Sequence, residues 1–326
     1  MSSIKKITFI LPTKNRIEEI KRFYLSNESK LKKISHCYLI ITYNKREKNI
    51  LKKYFKKNRL IKIIQQKRSG FMNACFESIN HVKTKYCTFL YDDDLLSPFI
   101  NKFFKLVYSK DIVMGYGLVN INNSKNNFLP IKIHKISSEK VLSCYFGKNL
   151  RGVKFMPVSP ICLIFPSVFL IKWKRKIIHF CKNNSLRTEM LLKRNIGPDL
   201  MLYLHQIINY KNIDFSFPHI AEFKMHEKSM SYILGKNKLR IGYWLAKSSI
   251  YNSNKISAES NKKIFTFLLV SGYLILFYNY LLNIAGKENY YYKFKREINK
   301  IKKYKKNDFQ FKYALKIVFN RVFKLL

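Results

Sequence analysis

Tyr86-Cys87-Thr88-Phe89-Leu90-Tyr91-Asp92-Asp93-Asp94-Leu95-Leu96-Ser97-Pro98 decides how this chain is read. Its first half is a short aromatic, apolar and β-branched run, which predicts a buried strand. Three consecutive carboxylates follow where that strand stops. Like charges side by side repel, so the triplet asks for a counter-charge. A hard divalent cation supplies one, because Mg²⁺ or Mn²⁺ prefers oxygen ligands and bridges one or two carboxylates to a diphosphate. The plain alternative is a solvated turn before a helix, with Ser97 as N-cap and Pro98 at the first helical position. The triplet alone favours the turn; its neighbours reverse that preference.

Upstream, Lys6-Ile7-Thr8-Phe9-Ile10-Leu11 predicts a buried strand closed by Pro12-Thr13-Lys14-Asn15-Arg16. Ile17, Ile20, Tyr24 and Leu31 follow at roughly helical spacing. Strand, polar turn and helix open a βαβ unit, whose turns hold ligands at the carboxyl ends of the strands. Cys37-Tyr38-Leu39-Ile40-Ile41-Thr42 is the next strand, then a basic helix over 48–58, then Leu60-Ile61-Lys62-Ile63-Ile64. Lys67-Arg68-Ser69-Gly70-Phe71-Met72-Asn73-Ala74-Cys75 leads into a helix ending at Ile79. Gly70 permits a close backbone approach, and a helix N-terminus favours an anion. Arg68 offers phosphate or base a bidentate contact. A simple capped helix accounts for the same residues. Strands alternating with helices through residue 98 predict a doubly wound α/β sheet.

Beyond the triplet we expect a helix over 98–109, a strand over 111–119, an Asn-rich loop over 121–130 and a helix over 137–149. Pro157, Pro160 and Pro166 prevent 153–170 from being one regular element. In Asn195-Ile196-Gly197-Pro198-Asp199-Leu200-Met201, Gly-Pro breaks the chain before an apolar helix. Asp199 then sits in the first turn, where the helix dipole favours a carboxylate. Such acids are common there for stability alone. Glu189 is the second acid in this region. Glu222 and His226 follow, and His226 taken alone reads as a surface histidine.

The formal charge is +44, and Lys is spread along the whole chain. A basic surface seeks polyanions, either nucleic acid or the anionic leaflet of a membrane. No Arg-rich recognition helix, zinc-finger spacing or RNA-binding aromatic signature is present, which argues against nucleic acid. Lys far outnumbers Arg and Asn is abundant, so much of the charge reflects compositional bias. Six cysteines without a CxxC pair suit free thiols in a reducing cytoplasm. The N-terminus shows no signal-peptide pattern and enters a strand within a few residues. Residues 264–285 carry no charge and are long enough to span a bilayer. A basic tail follows, so a single span would place strongly basic segments on both sides, against the positive-inside bias. A core or oligomer helix ranks first there, an in-plane membrane helix second and a span third.

Four stretches, in order, resemble the GT-A nucleotide-sugar glycosyltransferases of family two. "ILPTKNR" resembles that family's opening turn, the Gly70 helix its pre-metal helix, the acidic triplet its DxD region, and the His226 segment its H-x-x-S-x-S run. Tyr91 stands where the family usually has its first Asp, and Thr42-Tyr43-Asn44-Lys45 replaces its Asp-Asp-Gly-Ser. The resemblance implies a GT-A catalytic domain over 1–235 and a helical, basic extension over 236–326. It implies a nucleotide-diphospho-sugar donor held by Pro12, Thr13, Asn15, Arg16, Arg68, Gly70, Asn73 and Asp92. Mn²⁺ or Mg²⁺ would be held by Asp93, Asp94 and His226, with Asp199 as the general base of an inverting transfer. The implied acceptor is a glycan or lipid-linked hydroxyl, in bacterial surface polysaccharide synthesis at the cytoplasmic membrane face. A nucleotidyltransferase of related fold is the nearest rival, although Pro-Thr-Lys-Asn-Arg lacks the glycine such enzymes use. A non-catalytic polyanion-binding protein is the rival of another class.

Overall fold

The computed structural model describes residues 7–32, 35–42, 44–106, 112–120, 128–146, 160–224, 235–287 and 290–303. Strand β1 (Ile7–Pro12) is buried at every position. Burial on both faces is what an interior parallel strand requires. It pairs in parallel with β2 (Ser35–Thr42) on one side and β4 (Tyr86–Phe89) on the other. β3 (Ile61–Gln65) adds in parallel outside β2. The crossovers are α1 (Ile17–Leu31), α2 (Lys45–Tyr54) and α3 (Phe71–Ser78). α1 buries Ile20, Phe23, Tyr24 and Leu31 in the same core as Phe9, Tyr38 and Ile40.

Past β4 the sheet becomes mixed. β5 (Asp94–Leu96) and α4 (Ile100–Leu106) precede β6 (Val113–Asn120), and β7 (Lys132–Ser137) follows. β8 (Leu163–Pro166) runs antiparallel to both β4 and β6. β9 (Asn212–Lys224) lies parallel to β6 and carries β5 and β7, both antiparallel, on its other edge. The order is β3-β2-β1-β4-β8-β6-β9-β5, with β7 also on β9. The β6–β9 register shifts between Gly115 and Gly117. A Cβ on Gly115 would meet Ile220 Cδ1 at 2.5 Å and Ser216 Oγ at 2.6 Å, so a larger residue would have to displace two buried side chains.

Two local expectations change. The helix expected from Pro98 begins at Ile100, and Asp94–Leu96 is a strand. Pairing of Asp94–Leu96 with β9 holds the chain extended as far as Ser97, whose amide donates to Ile220 O at 2.9 Å while its Oγ still accepts from Phe99 N at 3.1 Å. The basic helix begins at Lys45, ahead of the expected residue 48, because the Asn44 side chain caps it by accepting from Arg46 N at 2.9 Å.

The remaining helices are α5 (Ser138–Phe146), α6 (Val168–Cys181), α7 (Ser185–Arg187, continuing as a π-helical turn over Thr188–Lys193), α8 (Pro198–Ile207), α9 (Lys236–Ser248), α10 (Ala258–Ile284) and α11 (Tyr291–Lys303). The chain divides into two compact units. The first, Met1–Val141, Val153–Ile178 and Tyr210–Ile233, contains the sheet. The second, Leu142–Gly152, His179–Asn209 and Leu234–Leu326, is helical. Its core includes Met201, Leu204, Ile241, Leu245, Leu268 and Phe294, all fully buried. Among the described residues, α10 is the one helix long and apolar enough to cross a membrane, and 44% of its most apolar stretch is buried. None of the six cysteines is joined in a disulfide.

Candidate active site

In the first unit the turns after β1, β2 and β4 converge through side chains. Pro12 and Thr13 are buried, and Thr13 N donates to Ile41 O at 2.8 Å. Asn15 turns the chain with φ 54°, a left-handed conformation that asparagine tolerates better than most residues. The turn brings Arg16 Nε to 2.9 Å from Asp92 Oδ2. Glu47, 2% exposed, ties two of the turns together. Its Oε1 accepts from Arg16 N at 3.3 Å and, weakly, from Thr13 Oγ1 at 3.5 Å, while Oε2 accepts from Thr42 Oγ1 at 2.5 Å. Sequence reasoning passed over Glu47. The signal was the capping-box spacing of Asn44 and Glu47, three residues apart, just past a buried strand.

The acidic triplet splits into three environments. Burial raises the Asp92 carboxyl to about 7, against the pull of Arg16, with the neighbouring charges of Asp93 and Glu19 adding to the rise. Asp93 is half-buried in the turn. Asp94 is 3% exposed and closes that turn, since Tyr91 N donates to its Oδ2 at 3.3 Å. Tyr91 packs its ring against Phe71 of α3 at 5.8 Å. Arg68, Gly70 and Asn73 are exposed around the start of that helix. Gly70 has φ 109°, and Asn73 Nδ2 donates to Ser69 O at 2.6 Å. His226 lies outside the described residues. Glu222, buried in β9, has His219 Nε2 at 3.4 Å.

Among the described residues no three His, Cys, Asp or Glu side chains group to hold a metal ion. Magnesium-type sites use one or two protein carboxylates beside phosphate oxygens, and Asp93 offers a donor of that kind.

Asp199 belongs to the second unit. Gly197 is left-handed at φ 95° and Pro198 opens α8, as the Gly-Pro break predicts. Asp199 Oδ1 accepts from Leu200 N at 2.8 Å. Burial raises its carboxyl above the ordinary range, opposed by backbone hydrogen bonds. Two glycines let α8 cross α9 closely. A Cβ on Gly197 would lie 2.9 Å from Gly242 O, and one on Gly242 would lie 2.3 Å from Ile196 Cγ2. Tyr243 of α9 feels Asp199 directly: burial first, then the Asp199 charge, pushes its phenol up. Glu189 is engaged elsewhere, paired with Arg194 Nη2 at 3.0 Å and accepting from Tyr290 OH at 3.0 Å.

Residues 8–169 match the family described as Glycosyl transferase family 2. Among solved structures, S. aureus TarS aligns with a TM-score of 0.51 at 12% identity, over 81% of this chain and 43% of that one. S. aureus TarS 1-349 gives the same score and identity, 0.51 and 12%, over 82% of this chain and 72% of that one. At this identity the likeness is one of fold, and the chain spans 43% of the longer TarS structure. No curated protein matches the chain in sequence.

Proposed function

Residues 8–169 belong to glycosyl transferase family 2 and carry its GT-A fold, and from that premise we propose that the protein transfers a sugar from a nucleotide diphosphate to an acceptor hydroxyl. The Arg16–Asp92 pair carries the reading. It joins the turns after two adjacent parallel strands, β1 and β4, inside the matched segment. Ligands of α/β folds bind at these strand ends. Pro12, Thr13, Asn15, Arg16, Arg68, Gly70, Asn73 and Asp92 are our assignment for the donor. Glu47 would hold the first turn in shape. Asp93, with Asp94 closing the turn behind it and His226, would hold Mn²⁺ or Mg²⁺. A cation there offsets charge on the departing diphosphate.

Asp199 is our assignment for the base. The acceptor oxygen would bond to the anomeric carbon as its proton passes to Asp199. The bond from that carbon to the diphosphate oxygen breaks on the opposite side, which inverts configuration. Burial raises this carboxyl, which makes its ionised form a stronger base than an exposed carboxylate. The acceptor we favour is a glycan or lipid-linked saccharide of a bacterial surface polysaccharide. We place the enzyme on the cytoplasmic face of the membrane, a reading supported by the +44 charge.

A thermal-shift series tests the proposal. Nucleoside diphosphates are added with and without Mn²⁺, because a ligand at a hundred times its Kd stabilises by about 2.7 kcal/mol. One nucleotide should raise Tm in a Mn²⁺-dependent way. Asp93→Asn should abolish that rise and leave the ligand-free Tm near the parent value. No rise with any nucleotide would overturn the reading.

A further inference from the structure

A groove of about 370 Å³ runs between α9 and α10, wholly within the second unit. Leu239, Trp244, Phe267 and Ile275 give it apolar walls. Lys236, Arg240 and Lys247 stand in the same lining, and no acidic residue joins them. On α9 these bases are four and then seven residues apart, so they line one stripe of the helix.

Lys247 is the informative one. Its ammonium donates to Tyr145 O at 2.7 Å and lies 4.2 Å from the centre of the Phe267 ring. Burial lowers its pKa to about 8. A cation kept among aromatic rings has given up much of its hydration, and an anion arriving beside it restores the balance. Apolar walls ending in cations match a molecule with an apolar chain and an anionic head. Tyr243 shares the lining, and the charge of Asp199, in the same helical unit, acts on its phenol.

We propose that this groove anchors the acceptor, and that the acceptor is an anionic amphiphile: a lipid phosphate whose chain lies against Trp244 and Phe267 and whose phosphate meets Lys236, Arg240 and Lys247. A sugar hydroxyl carried on that phosphate is then the group presented to Asp199. The acceptor role rests on the function proposed above; binding of the amphiphile does not.

Trp244 is the built-in probe. The chain has two tryptophans, and Trp173 is buried in the first unit, so ligand-dependent emission reports Trp244. The full chain is titrated with dodecyl phosphate below its micelle concentration, with dodecyl maltoside and with inorganic phosphate. Dodecyl phosphate should saturate the signal at least about tenfold below the other two. The double variant Lys236→Ala/Arg240→Ala, at two exposed positions, should weaken it about tenfold. Ser271→Phe, which fills the groove, should remove the response. Equal binding of maltoside would leave only an apolar cleft, and equal binding of inorganic phosphate only an anion site; either overturns the proposal. So does unchanged binding in Ser271→Phe. The nucleotide thermal shift separates the two readings. If it persists in the groove variants while transfer to the lipid acceptor falls, the acceptor role is supported. If the parent binds amphiphile but no nucleotide, the acceptor role falls and the groove assignment stands.

Discussion

Asp92 sets burial against charge in one side chain. Its folded pKa of about 7 lies above the ordinary value of 3.8 for a hydrated carboxyl, so its protonated form favours the folded state. That stability is fully present below about pH 4 and is lost as pH rises through about 7. Arg16 limits the loss. Arg16→Met should therefore cost roughly 1 to 3 kcal/mol at pH 8, between the values for exposed and buried pairs. At pH 5, where Asp92 already holds its proton, the cost should shrink. Urea melts at both pH values check this, and an equal cost at both would remove the pair from the site. Asp199→Asn should keep donor affinity while turnover falls by about a hundredfold or more, the scale for losing a general base. Glu189→Gln should change turnover less, because Glu189 is already held by Arg194 and Tyr290. Single-turnover kinetics with donor titration distinguishes the two.

At the level of elements, legibility followed locality. β1, β2 and β4 could be read because a parallel interior strand is an unbroken apolar run. α8 could be read because Gly197-Pro198 admits few conformations. β5 could not, since its three residues are strand only through pairing with β9, more than a hundred residues later. Glu47 had a local signal in its spacing from Asn44, but its tie to Thr13 and Arg16 reaches another turn and could not be read locally. α11 shows the same dependence on distant residues. Its buried Glu297 accepts from Arg187 Nε at 2.7 Å, Asn184 Nδ2 at 2.7 Å and Lys300 Nζ at 2.7 Å. Burial would raise this carboxyl, but Lys300, Arg187 and Asn184 together hold it below its ordinary value. Its stabilising effect is present above the ordinary value and lost as pH falls. Glu297→Ala should cost about 3–5 kcal/mol at neutral pH, because it strands a guanidinium with little exposure. Chemical denaturation measures it, and the cost should narrow in acid.

Over the whole molecule the charge of +44 meets an uncovered apolar surface. Phe277, Tyr280, Leu281 and Ile284 of α10 are exposed, and so is Tyr292 of α11. Aromatic side chains among lysines suit the interface of an anionic leaflet. On the reading that the protein lies on the membrane without crossing it, carbonate or high-salt washing should release it from membranes. Retention until detergent is added would mean that α10 spans. The first unit has another property with a cost outside the folded state. It is assembled from three separated stretches of chain, and β9, the last of the described strands, covers one edge of β6. A chain emerging from the ribosome therefore carries β6 with an open edge until about a hundred further residues have been made. Unpaired strand edges recruit other chains. Expression yield should accordingly depend on translation speed and chaperone supply, and a fragment ending before residue 212 should aggregate, however well its parallel half is formed.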